Sequence, residues 1–132
     1  MKSPARTVRE VMEPRVVSVV PEMTVRELVE TFQEEQIRGA PVLGPSGKVI
    51  GMVSESDVLR RTTLAGGDPA RVRVGDIMRP VGTTFAPGDD LQALSRFFAA
   101  DGVQRVAVIE NDMLLGIVTP ADVLRGLASP AR

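Results

Sequence analysis

The sequence contains no cysteine, histidine, tryptophan or tyrosine. Disulfides, thiol nucleophiles, imidazole bases and Cys/His metal sites are therefore excluded. An enzyme built on this chain would have to work with carboxylates, lysine, serine or threonine alone. Lysine is scarce as well, since Lys2 and Lys48 are the only two among 16 basic residues. No apolar run approaches the ~18–20 residues needed to span a bilayer, and the stretch from Met1 to Arg6 lacks the apolar core of a signal peptide. The expectation is a cytoplasmic protein with no membrane partner. A basic surplus is also missing, because 16 Lys and Arg face 17 Asp and Glu for a net charge of −1. That balance argues against non-specific nucleic-acid binding, which relies on displaced counterions. What is present is an ordinary composition, 43% hydrophobic and 25% charged over 132 residues. By length it is one compact domain, or two half-domains sharing a core.

The chain repeats itself. A shift of 66 residues aligns Val8 with Val74, Met12 with Met78, Pro14 with Pro80, Pro21 with Pro87, Leu28 with Leu94, Phe32 with Phe98 and Val42 with Val108. Dropping one turn residue makes the shift 65, which aligns Gly51 with Gly116, Val53 with Val118, and Asp57-Val58-Leu59-Arg60 with Asp122-Val123-Leu124-Arg125. Two copies of one unit of ~60 residues follow, and so small a unit buries little core alone. The copies are placed at residues 8–62 and 74–127, joined by a linker over 63–73. Gly66-Gly67-Asp68-Pro69 in that linker lacks the Gly-Lys-Ser/Thr signature of a phosphate loop and reads as a connector.

Each copy shows the same order of elements. A short helical piece, Val8–Met12 or Val74–Met78, stops at a proline. An extended stretch follows, Val16–Val20 or Gly82–Phe85. Thr24-x-x-Glu27 is a capping box that opens a helix whose apolar face is Val25, Leu28, Val29 and Phe32. Leu91, Leu94 and Phe98 repeat that face behind Asp90, while Phe97 adds a second apolar direction open to a dimer surface. A hairpin comes next, Ala40–Leu43 and Lys48–Val53 about Gly44-Pro45-Ser46-Gly47, or Val106–Ile109 and Met113–Val118 about Glu110-Asn111-Asp112. A last helix begins at Ser54 or Thr119. The expected fold class is mixed α/β (α+β), β-α-β-β-α twice over.

The sharpest local signal is Gly51-Met52-Val53-Ser54-Glu55-Ser56-Asp57, echoed by Gly116-Ile117-Val118-Thr119-Pro120-Ala121-Asp122. Ser or Thr at the N-cap with an acid three residues on is a capping box, and Pro120 suits the first helical position. The same acids are also suited to a ribose diol, accepting two O–H bonds each, with the hydroxyls of Ser54 and Thr119 reaching a nearby phosphate. The two readings are compatible.

These copies, with Gly-apolar-apolar-Ser/Thr-x-x-Asp in each and the strand Ile37-Arg38-Gly39-Ala40-Pro41-Val42 in the first, resemble cystathionine-β-synthase (CBS) domains. A tandem pair resembles a Bateman module, and the resemblance covers about residues 8–127. It implies two repeats packed with pseudo-twofold symmetry and two clefts for adenosine-containing ligands: AMP, ADP, ATP or S-adenosylmethionine. Carried over residue by residue, one cleft uses Ser54 and Asp57 with Gly82, Thr83 and Arg105. The other uses Thr119 and Asp122 with Val16, Val17 and Arg38. The second set makes better physical sense, with Val16 and Val17 as an apolar slot for the base and Arg38 as a phosphate contact. Arg38 and Arg105 are equally readable as solvated or paired side chains. The position often held by His in the family is Arg38 in one copy and Gln104 in the other, which suits a monophosphate or a cationic sulfonium better than a triphosphate. The resemblance thus implies a stand-alone sensor without catalytic cofactor or metal, a homodimer, and an effector protein of unknown identity. The other reading is a ligand-free module for protein interaction or dimerisation.

Overall fold

The computed structural model describes residues 6–103 and 105–128, so Gln104 lies outside the described residues. The helices are α1 (Val8–Val11), α2 (Val25–Glu35), α3 (Glu55–Arg61), α4 (Val74–Ile77), α5 (Leu91–Asp101) and α6 (Pro120–Ala128). The strands are β1 (Gly39–Leu43), β2 (Val49–Ser54), β3 (Val106–Glu110) and β4 (Met113–Val118). The mixed helix-and-strand class read from the sequence is the class observed.

Helix starts follow the sequence closely. The Thr24 hydroxyl accepts the Glu27 amide at 3.2 Å, and the Glu27 carboxylate takes the Thr24 amide at 2.9 Å. Both orphan ends of the first turn are thereby satisfied. Asp90 opens α5 by accepting the Gln92 amide at 2.9 Å. Both helices end on a left-handed residue, Gln36 (φ 55°) and Gly102 (φ 65°). Glycine adopts that conformation without strain, whereas glutamine costs about 1 kcal/mol there.

The hairpins pair β1 with β2 and β3 with β4, each slipping register at the same place, between Val42 and Leu43 or between Val108 and Ile109. In the second hairpin Glu110 pairs with Met113, so the turn is two residues rather than the three of Glu110-Asn111-Asp112. Asn111 and Asp112 both have positive φ (53° and 64°), as a type I′ turn requires.

The extended stretch of each copy shrinks to a single parallel bridge, Val19 with Val42 and Phe85 with Val108. In the first copy Val19 donates to the Pro41 carbonyl at 3.0 Å, and the Leu43 amide returns to Val19 at 2.8 Å. The next ladder bond would need an amide hydrogen on Pro41, which proline lacks, so pairing stops before Val17. In the second copy Gly82 (φ 72°) turns the chain three residues ahead of Phe85.

The described chain condenses into two compact units. One runs from Val17 to Val81, and the other combines the residues up to Val16 with those from Gly82 onward. In the first, Val19, Val25, Leu28, Phe32, Val42, Val53, Val74 and Ile77 share a core. In the second, Val8, Leu91, Leu94, Val106, Val108, Val118 and Val123 do so, with Phe97 and Phe98 against them. Phe97 meets the Phe85 ring at 5.8 Å, so the ring expected at a dimer surface packs inside its own unit.

Each leading helix packs in the unit of the other copy. Within the Val17–Val81 unit, Val74 and Gly75 of α4 donate to the carbonyls of Met23 and Pro21. Within the other unit, Val8 and Arg9 of α1 donate to Asp89 and Pro87, the matching positions. Val8 and Val74 are both fully buried. A fourth chain segment completes each sheet: Arg79 pairs with Met52 beside β2, and Glu13 pairs with Ile117 beside β4. No described helix is long and apolar enough to cross a membrane.

The capping box of α2 carries a pH signature. Hydrogen bonds from the Thr24 amide and hydroxyl hold the Glu27 carboxyl below its ordinary value, and Arg73 adds to the effect. In the unfolded chain that carboxyl regains its ordinary value. The box therefore stabilises fully above that value and fades as pH falls through the lower, folded one. An NMR titration of the Glu27 side chain should give a midpoint below that of an unstructured glutamate, and Thr24→Ala, which removes the hydroxyl but keeps the amide, should bring it only part of the way back. A midpoint at or above the ordinary value would contradict the box.

Candidate functional site

The repeated Ser/Thr-x-x-Asp motif forms the same corner in each unit, where β2 runs into α3 and β4 runs into α6. Asp57 Oδ2 accepts the Ser54 amide at 2.8 Å and the Ser54 hydroxyl at 3.0 Å, and that hydroxyl also lies 3.1 Å from Ser56 Oγ. Asp122 Oδ2 accepts the Thr119 amide at 2.8 Å and the Thr119 hydroxyl at 3.1 Å. The capping reading of both motifs is thus realised, and it consumes one oxygen of each carboxylate.

The other oxygen of each acid faces arginine. Asp57 Oδ1 takes Arg60 Nη2 at 2.6 Å and lies 3.1 Å from Arg79 Nε. Asp122 Oδ1 is paired with Arg125. Both carboxylates are buried, their side chains 2% and 9% exposed, while Arg60, Arg79 and Arg125 are more than half exposed. A buried carboxylate without a partner is costly, and cap plus guanidinium remove most of that cost. The guanidiniums remain open to solvent, so Oδ1 of each acid is the oxygen from which an incoming hydroxyl could displace or share a donor.

Ser54 and Asp57 are brought together within one unit, and Thr119 and Asp122 within the other. Arg38 has an exposed side chain, and its carbonyl receives the Glu55 amide at 3.0 Å, beside the Gly39–Ser54 pair of β1 and β2. Val16 and Val17 are half-buried, at the point where the chain leaves one unit for the other. Thr83 and Gly82 are exposed and Arg105 is half-buried.

Sequence reasoning overlooked three arginines at these corners. Arg60 and Arg125 were within reach, because an Asp and an Arg three residues apart on a helix meet, and the repeat carries both pairs. Arg79 gave no such signal. It is distant from Asp57 in sequence, and its counterpart at the 66-residue shift is Glu13.

A family model described as CBS domain matches the chain twice, over residues 8–63 and 74–129. An uncharacterized protein of Methanocaldococcus jannaschii is 31% identical over 122 residues; the match covers 92% of this chain but only 43% of that relative, so the chain spans less than half its length. Hypoxic response protein 1 of Mycobacterium tuberculosis is 28% identical over 125 residues, covering 95% of this chain and 87% of that one. Among solved structures, CBSX2 of Arabidopsis thaliana in complex with AMP is similar with a TM-score of 0.79 at 26% identity, covering 92% of this chain and 95% of that chain.

Proposed function

Because the chain belongs to the CBS-domain family and carries two copies of the domain, we propose that it is a regulatory module that binds an adenosine-containing ligand at its Ser/Thr-x-x-Asp corners. The observation that carries this reading is the twice-built corner, in which a buried carboxylate commits one oxygen to its own helix cap and turns the other toward solvent-exposed arginine. A cap alone needs only the first oxygen. A ribose diol would bond to the second, and the displaced guanidinium of the helical arginine, Arg60 or Arg125, would remain as a phosphate partner. That CBSX2 is similar and has been crystallised with AMP supports the ligand class.

Thr119 and Asp122 form the principal corner in this proposal and Ser54 and Asp57 the second, with Val16, Val17, Arg38, Thr83 and Arg105 proposed as further ligand contacts. AMP suits the few basic groups better than ATP does, and S-adenosylmethionine is the cationic competitor. The role is regulatory rather than catalytic, because the acids of the corners are engaged as caps and ion pairs instead of facing a nucleophile. Occupancy would act through an effector protein or through self-association, and only to the extent that the ligand binds one arrangement better than another.

Binding to the folded state must raise the melting temperature. At about 100 times the dissociation constant the gain is about 2.7 kcal/mol. A thermal-shift panel of AMP, ADP, ATP and S-adenosylmethionine is expected to give its largest shift with AMP. No shift with any of the four would overturn the ligand-binding reading.

A second reading, a ligand-free interaction or dimerisation module, is favoured by one specific observation. Leu124 and Leu127 lie one turn apart on α6 and are 64% and 60% exposed, and Leu59, the counterpart of Leu124 on α3, is 51% exposed. Apolar side chains of that size in open solvent are the material of a homodimer contact. The same panel separates the readings, since a pure interaction module shows a concentration-dependent mass by light scattering and no ligand shift.

A further inference from the structure

The two corners share a cap and a helical arginine, but the neighbouring backbone segment delivers opposite charges to them. Arg79 exchanges amide and carbonyl bonds with Met52, both at 2.9 Å, two residues before Ser54. Glu13 exchanges the same pair of bonds with Ile117, at 2.8 and 3.0 Å, two residues before Thr119. The two residues therefore occupy one register position relative to their corners. From it Arg79 reaches Asp57 Oδ1 at 3.1 Å, whereas the Glu13 carboxylate turns back to its own chain and accepts the Arg15 amide at 3.0 Å. Asp57 thus holds two guanidiniums on the oxygen that its cap leaves over, and Asp122 holds one.

We propose that Arg79 is an internal competitor for the ligand hydroxyls at Asp57, so that the Asp122 corner fills first and the Asp57 corner opens only when Arg79 gives way. This inference rests on the adenosyl reading above and adds to it which corner is used and which side chain decides. A ribose diol arriving at Asp57 must displace a charge-assisted contact that is already made, and each such contact is stronger than a neutral hydrogen bond. At Asp122 the register position offers no competing cation. Arg79 acts here through Asp57 and is a specificity-determining residue.

Calorimetry with AMP on the full chain tests this, using the natural sequence, Arg79→Ala, Arg79→Gln and the double variant Arg79→Ala with Asp57→Asn. Thermal melts confirm folding in each case. The expected result is one strong AMP per chain in the natural protein and a second event in both Arg79 variants, tighter than any second event in the natural protein by about tenfold or more. Adding Asp57→Asn should abolish that second event. Two equal sites in the natural protein, or AMP binding that Arg79→Ala and Arg79→Gln leave unchanged or weaken, would overturn the competitor while leaving the adenosyl reading intact. A weakening would make Arg79 a phosphate ligand instead. No AMP binding to any variant would overturn the competitor, and the adenosyl reading falls with it when ADP, ATP and S-adenosylmethionine also fail to bind.

Discussion

Gly116→Ala and Gly51→Ala are each expected to lower the unfolding free energy by about 1–3 kcal/mol, the range for forcing a methyl group into a filled site. A methyl group on Gly116 would lie 2.9 Å from the Glu13 carbonyl oxygen and 2.9 Å from Met12 Sδ. On Gly51 it would meet Met78 Sδ at 2.8 Å and the Arg79 carbonyl oxygen at 2.9 Å. The methionine sulfurs can swing aside. The carbonyls cannot, because they accept the amides of Ile117 and Met52 that close each sheet. The first residue of Gly-apolar-apolar-Ser/Thr-x-x-Asp is thus explained by the close passage of a backbone segment and not by the ligand. Urea denaturation measures the effect, with Gly88→Ala as the control: nothing lies within 4 Å of a methyl group there, and its backbone is not left-handed. Midpoints for Gly51→Ala and Gly116→Ala equal to that of the control would refute the packing argument. Because Arg79 is one of the residues held by this contact, Gly51→Ala should also loosen the Arg79–Asp57 pair, whereas Gly116→Ala should not.

Asp122→Ala is expected to weaken AMP binding by about 100-fold or more. Hydrogen bonds to a charged acceptor are worth about 1.5–3 kcal/mol each, and two such bonds to a ribose diol amount to at least two decades. Asp57→Ala should cost much less affinity in the natural protein, because Arg79 and Arg60 already occupy its free oxygen. Both substitutions also remove a helix cap, worth about 1 kcal/mol of stability, so binding must be measured well below the melting temperature. Asp122→Asn separates the two roles. The amide oxygen can still accept the Thr119 amide and preserve the cap, but the charge that would grip the diol is gone. If Asp122→Ala alone melted early, Asp122→Asn melted as the natural protein does, and both bound AMP with unchanged affinity, the carboxylate would be a cap and nothing more.

Much of this architecture was legible because it is written twice. The capping box of Thr24 and Glu27, the buried face of Val25, Leu28 and Phe32, both hairpins and both Asp corners all rest on local spacing, and local spacing survives in a sequence read on its own. The shortened first strand was hidden for a local reason as well, since the missing donor belongs to Pro41 on the neighbouring strand and not to the stretch Val16–Val20 itself. Two other features were out of reach in principle. Arg79 meets Asp57 across many residues of chain, and the repeat offers no second instance because Glu13 stands in its place. The crossing-over of α1 and α4 leaves no trace in a self-alignment either. Val8 matches Val74 at the same shift whether each packs at home or in the other unit.

That crossing-over has a consequence for how such a chain can be divided or inherited. A nick in the connector at Gly66–Pro69 yields two fragments, neither of which encodes a complete hydrophobic body, although each contains a whole copy of the repeat. The stretch from Val17 to Val81 does encode one, yet it begins inside one copy and ends inside the next. Exon shuffling or fusion at the repeat borders would therefore carry off the wrong leading helix with every transfer and leave neither body whole.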